Sequence, residues 1–122
     1  MERYDLELIG EVASLDRSED CSFFRSQMQR FHEHSQQHMG LMREALSNGD
    51  MAAIEASAHA MGGSAVSFGA AYLGSVLRRI EVDCRQMTAE VLRGEIHLVG
   101  EELAIFREFL EEYVENMQRS RQ

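Results

Sequence analysis

The chain is expected to be all-α, and three observations carry that expectation. It contains no proline, the residue that most strongly breaks a helix. Ala, Leu, Glu and Arg, all strong helix formers, are abundant. Apolar residues recur at three- and four-residue steps through four long segments joined by very short turn signals. Segments joined so tightly pack as antiparallel neighbours. The expected architecture is an antiparallel up-down-up-down four-helix bundle with a short additional N-terminal helix laid across one end. A single domain spans residues 1–122, long enough for one hydrophobic core.

Leu6, Ile9 and Val12 mark the opening helix, with Leu8 and Leu15 also able to pack. The longest pattern runs from about Ser18 to Ser47 and aligns Phe24, Met28, Phe31, Met39, Met42 and Leu46. Asp16 and Ser18 are its candidate N-caps, and Glu19 suits a capping box begun at Asp16. Asn48-Gly49-Asp50 ends that helix and caps the next. The third helix is expected from about Met51 to Ser67, with Ile54, Ala58, Met61, Ala65 and Phe68 inward. That stripe passes straight through Gly62 and Gly63, which places both inside the helix, and Gly69 then supplies a tight turn. A fourth helix, from about Ala70 to Arg93, turns Leu73, Leu77, Ile80, Cys84, Met87 and Val91 inward and stops at Gly94. The last, from about Glu95 to Gln118, buries Ile96, Val99, Leu103, Phe106, Leu110 and Val114 or Tyr113, and the final four residues fray.

A formal charge of −9 argues against nucleic-acid and anionic-membrane partners, which require clustered cations. All twelve basic residues are arginine; any role usually filled by a lysine ammonium must be met otherwise. Cys21 and Cys84 lie far apart, without the spacing of a disulfide framework or a zinc site, and both are expected as reduced thiols. With no targeting segment and no apolar run of membrane-spanning length, the expected location is cytoplasmic.

The chemistry concentrates at His59. On a helix, residues three and four further along stand beside a side chain, so Gly62 and Gly63 leave the imidazole without bulky neighbours. Each glycine costs a helix about 1 kcal/mol relative to alanine, which points to a use for the opening. Away from the core stripe, the same helix presents Ala52, Glu55, Ala56, His59, Gly62, Gly63 and Val66, a face of mostly small side chains where long charged ones are usual. Such a face suits the close approach of another protein. An imidazole largely neutral near pH 7 can act there as a nucleophile without a dedicated base.

Here the sequence resembles the histidine-containing phosphotransfer (HPt) domains of two-component signalling. Their motif has a phosphoacceptor histidine, a lysine three residues on, a glycine next to it and a further glycine six residues later. His59, Gly63 and Gly69 match in register, and the likeness extends from roughly Asp5 to Met117. It implies that His59 accepts a phosphoryl group from a receiver-domain aspartate and passes it to another. The implied partners are response-regulator receiver domains and a hybrid sensor histidine kinase. The carrier itself would be monomeric, would have no ATP site, cofactor or metal, and would rely on Mg²⁺ held by the receiver.

Gly62 stands where the family has its lysine. Arg78, expected level with His59, and Arg85, further along the same flank, are the candidate replacement cations, with surface pairing to glutamates as the alternative. Glu55 either accepts a hydrogen bond from His59 Nδ1–H or is a solvated carboxylate. Two other functions compete: an adaptor that docks a receiver or kinase without carrying phosphate, and a metal-binding bundle built on His34 and His38. The latter lacks a third ligand and the Glu-x-x-His motif of di-iron bundles.

Overall fold

The computed structural model describes residues 2–122. Five α-helices follow one another: α1 (Leu6–Ser14), α2 (Ser22–Asn48), α3 (Met51–Ser67), α4 (Ala71–Asp83) and α5 (Ala89–Ser120), with a 3₁₀ turn, Cys84–Gln86, after α4. Among the described residues there is no strand. Contacts step in opposite directions along neighbouring helices. Between α3 and α4, His59 meets Glu81 and Val66 lies against Gly74, and Glu55 meets Arg85 on the 3₁₀ turn just beyond α4. Between α2 and α5, Arg25 meets Gln118, His32 meets Arg107, and Arg43 lies against Gly100. His34 on α2 meets Ser64 on α3. Helices α2 to α5 thus form an antiparallel four-helix bundle.

The core follows the helical stripes. Ile54, Ala58, Met61, Ala65 and Phe68 are all buried, as are Leu73, Leu77, Ile80 and Cys84, and Ile96, Val99, Leu103, Phe106, Leu110 and Val114 on α5. An aromatic cluster ties α2 and α5 to the α3–α4 turn, with Phe24 and Phe31 edge-on to Phe68 and Phe31 edge-on to Phe106. Val114 is buried and Tyr113 half-buried. Each junction has an identifiable cause. Gly49, at φ +67°, ends α2, and the Asp50 carboxylate accepts from the Ala53 amide to begin α3. Gly69 turns α3 into α4 at φ +93°, where a Cβ would lie 2.6 Å from Ile9 Cγ1; only glycine fits there. The opening segment covers this end of the bundle, its Asp5 amide donating to Gly69 O and its Arg3 carbonyl accepting from the Tyr72 amide.

Four expectations are corrected. The fourth helix stops at Asp83, not near Arg93: Met87 is extended, and Thr88 caps α5 by accepting from the Val91 amide. Gly94 therefore lies inside α5, and Val91 is exposed on its first turn. The pattern of apolar spacing ran across this break because both helices pack on the same core. The second helix begins at Ser22 rather than Ser18, since Cys21 sits at φ +55°. Its first amides are taken by Ser18 Oγ and Asp20 at Ser22, and by Asp16 at Phe24, while Glu19 makes no capping bond among the described residues. Leu6 and Leu15 face solvent, while α1 buries Ile9, as expected, together with Ala13. Finally, the C-terminus does not fray at Arg121: its guanidinium donates to Ser18 O at 2.8 Å and pairs with Asp16. Burial alone would raise the Asp16 pKa, but hydrogen bonds from Ser18 and Phe24 and the Arg121 charge outweigh it and hold the carboxyl at about 2.

Candidate functional site on α3 and α4

His59 stands in the middle of α3 with 78% of its side chain exposed. Glu81 on α4 reaches it, with Oε2 2.8 Å from Nδ1. A carboxylate can only accept, so Nδ1 carries the proton and donates, leaving the lone pair on Nε2. Nε2 has no partner among the described residues. The ring is therefore oriented at one nitrogen and open at the other.

Neither neighbouring glycine is required by the bundle. A Cβ at Gly63 would meet nothing within 4 Å, and one at Gly62 would make only an ordinary 3.7 Å contact with Leu77 Cβ. By contrast, a Cβ at Gly74 would lie 2.7 Å from Val66 Cγ2, so Gly74 is what lets α3 and α4 close together. A shallow groove between the two helices is lined by His59, Gly62, Gly63, Val66, Arg78 and Glu81. Ala52, Ala56, Gly63 and Val66 are exposed, and Glu55 and Gly62 half-buried; these and His59 form one continuous flank of α3.

The antiparallel register places Glu81, not Arg78, level with His59. Arg78 lies nearer the turn, across the groove from Gly62, exposed and without a carboxylate partner among the described residues. Arg85 is engaged: its Nε and Nη2 donate to the two oxygens of Glu55 at 3.0 and 2.8 Å. Those hydrogen bonds lower the Glu55 pKa and raise that of Arg85. Glu55 is thus neither solvated alone nor bonded to the imidazole. Glu81, which the motif did not single out, takes that role. The observed pairs 59–81, 55–85 and 66–74 are all centred on residue 70, a register that the position of the turn alone did not give.

The other histidines sit elsewhere. His34 and His38 face each other with ring centroids 4.4 Å apart, His34 Nδ1 lies 3.1 Å from Ser64 Oγ, and His38 Nδ1 is buried without a partner. Burial, and then the neighbouring His34, lower the His38 pKa. No group of three or more metal-ligating side chains gathers among the described residues. Cys21 and Cys84 are both buried free thiols. No helix among the described residues is long and apolar enough to cross a membrane.

A small-residue flank around an oriented, solvent-facing imidazole on an antiparallel helical bundle defines a histidine phosphotransfer domain. The family model of the Hpt domain matches residues 27–118, well over half of the chain, and the chain belongs to that family. The fold is also similar to the crystal structure of histidine-containing phosphotransfer protein B (HptB) from Pseudomonas aeruginosa PAO1, with a TM-score of 0.79. At 20% identity, that match covers 93% of this chain and 96% of the other. No curated protein sequence matches significantly. Family membership assigns the chain to histidine phosphotransfer in two-component signalling.

Proposed function

We propose that the chain relays a phosphoryl group between the aspartates of two receiver domains, with His59 as the carrier. The single observation that supports this most is the division of the imidazole: Nδ1 bonded to Glu81, Nε2 open to solvent. A phosphorylated receiver docks on the α3 flank formed by Ala52, Glu55, Ala56, Gly62, Gly63 and Val66. The Nε2 lone pair attacks phosphorus in line, the bond to the aspartyl oxygen breaks, and its electron pair leaves with the carboxylate. The ring becomes a phosphorylated imidazolium whose Nδ1–H faces Glu81, and that carboxylate offsets the charge gained. A second receiver reverses the step. Positioning and charge neutralisation dominate such transfers. The receiver would hold Mg²⁺, and this chain would supply no nucleotide, metal or cofactor.

Arg78 is the proposed substitute for the missing lysine cation. It lines the groove across from Gly62 without a carboxylate partner among the described residues, and its guanidinium suits phosphate oxygens. The chain is further proposed to act as a cytoplasmic monomer, fed by a hybrid sensor kinase through its receiver.

The test uses a labelled phosphoreceiver mixed with the chain. Label should move to the wild-type protein and not to His59→Gln, and Arg78→Ala should slow the transfer. If the wild-type protein binds receivers yet never takes label, the adaptor function prompted by Gly62 replaces relay.

A further inference from the structure

The Glu55–Arg85 pair lies one turn along α3 from the His59–Glu81 pair, in the same antiparallel register, with Arg85 on the 3₁₀ turn that follows α4. Glu55 engages only one side of the guanidinium, through Nε and Nη2. Nη1 has no partner among the described residues, and 58% of the Arg85 side chain is exposed. An arginine fork has five N–H donors in one plane. Holding the Nε edge fixes that plane and leaves the outer edge free for two oxygens of an anion. In helices, side chains lean toward the N-terminus, so His59 leans over the turn that carries Glu55.

We infer that Glu55 is a positioning residue, which presents the free edge of Arg85 to the phosphoryl group carried by His59. This rests on phosphotransfer at His59 and adds a role for a carboxylate that by charge alone would repel the phosphate. Glu55 and Arg85 together contribute no net charge. An oriented guanidinium edge remains, aimed along the flank where the anion forms. Arg78, on α4, and Arg85, on the 3₁₀ turn that follows it, would then approach the phosphoryl group from opposite sides of His59.

The experiment needs no receiver. Phosphoramidate loses ammonia as the Nε2–P bond forms and so labels His59 directly. Phosphohistidine half-life and the pH midpoint of its ³¹P shift are measured for wild type, Arg85→Ala, Arg85→Lys, Glu55→Ala and the double alanine variant. Arg85→Ala is expected to shorten the half-life about threefold to tenfold, the loss of a charge-assisted fork, and to raise the ³¹P midpoint. Arg85→Lys, which keeps charge without a fork, should recover only part. Glu55→Ala should shift both readouts the same way in the wild-type background. In the Arg85→Ala background it should lengthen the half-life, because only repulsion remains to be removed. That reversal of sign is something a merely structural pair would not produce.

An unchanged or lengthened half-life for Glu55→Ala in the wild-type background overturns the inference, as does indifference to Arg85→Ala. Absence of label on His59, with His59→Gln as control, is a separate outcome: it removes phosphotransfer itself, and this inference with it.

Discussion

At His59, one carboxylate decides which nitrogen reacts. Without Glu81, nothing among the described residues holds the ring or selects its tautomer. Glu81→Ala should therefore reduce the rate at which His59 takes label from a phosphoreceiver by about tenfold to a hundredfold, the scale of a misplaced reacting group. Glu81→Gln retains an acceptor oxygen without the charge, and should recover most of the rate if orientation matters more than charge offset. Gly63 makes the complementary point. A Cβ there touches nothing, so Gly63→Ala should stabilise the protein by about 1 kcal/mol, read from urea midpoints. The same methyl group should slow phosphotransfer by crowding the receiver. A stability gain with no loss of transfer rate would remove Gly63 from the docking flank.

Among the elements, the α3–α4 pair carries the site, and its turn sets the register that brings 59 to 81 and 55 to 85. Gly69 is the keystone of that turn. A Cβ there would face left-handed backbone strain, Ile9 Cγ1 at 2.6 Å and the Asp5 carbonyl at 3.0 Å, a backbone atom that cannot swing aside. Gly69→Ala should cost about 2 to 3 kcal/mol, seen as a lowered thermal midpoint. A loss below a few tenths would mean that the turn relaxes freely. The α4–α5 junction was the least legible from sequence. Its signal is Thr88 followed by Glu90 in the first turn, a standard helix start, yet apolar spacing on both sides continued without interruption and masked it.

For the molecule as a whole, Asp16 closes the bundle by linking α1, the start of α2 and the C-terminus through Phe24, Ser18 and Arg121. It is 2% exposed, so replacing it with asparagine weakens hydrogen bonds inside the protein, at about 2 kcal/mol near pH 7. Its carboxyl titrates at about 2 in the folded chain, whereas an unfolded aspartate titrates near ~3.9. On acidification the unfolded chain binds the proton first, so this contribution is complete above pH ~4 and is lost as pH falls toward 2. Urea midpoints should drop more steeply with acid in wild type than in Asp16→Asn. Parallel slopes would show that Asp16 is not the group responsible.

The amino-acid sequence by itself determined the helical class, the buried stripes of α3 and α5, the Gly49–Asp50 junction and the open surroundings of His59. These depend on local rules: helical period, capping chemistry and the absence of a side chain at glycine. Only the tertiary structure decided the partners of the charged groups. Glu81 rather than Glu55 meets the imidazole, Arg85 is bound while Arg78 has no carboxylate partner among the described residues, and Arg121 folds back onto Asp16. The physical reason is reach. A long side chain on one helix can choose among several turns of its neighbour, and a shift of one turn in register exchanges every ion pair while leaving the hydrophobic pattern intact.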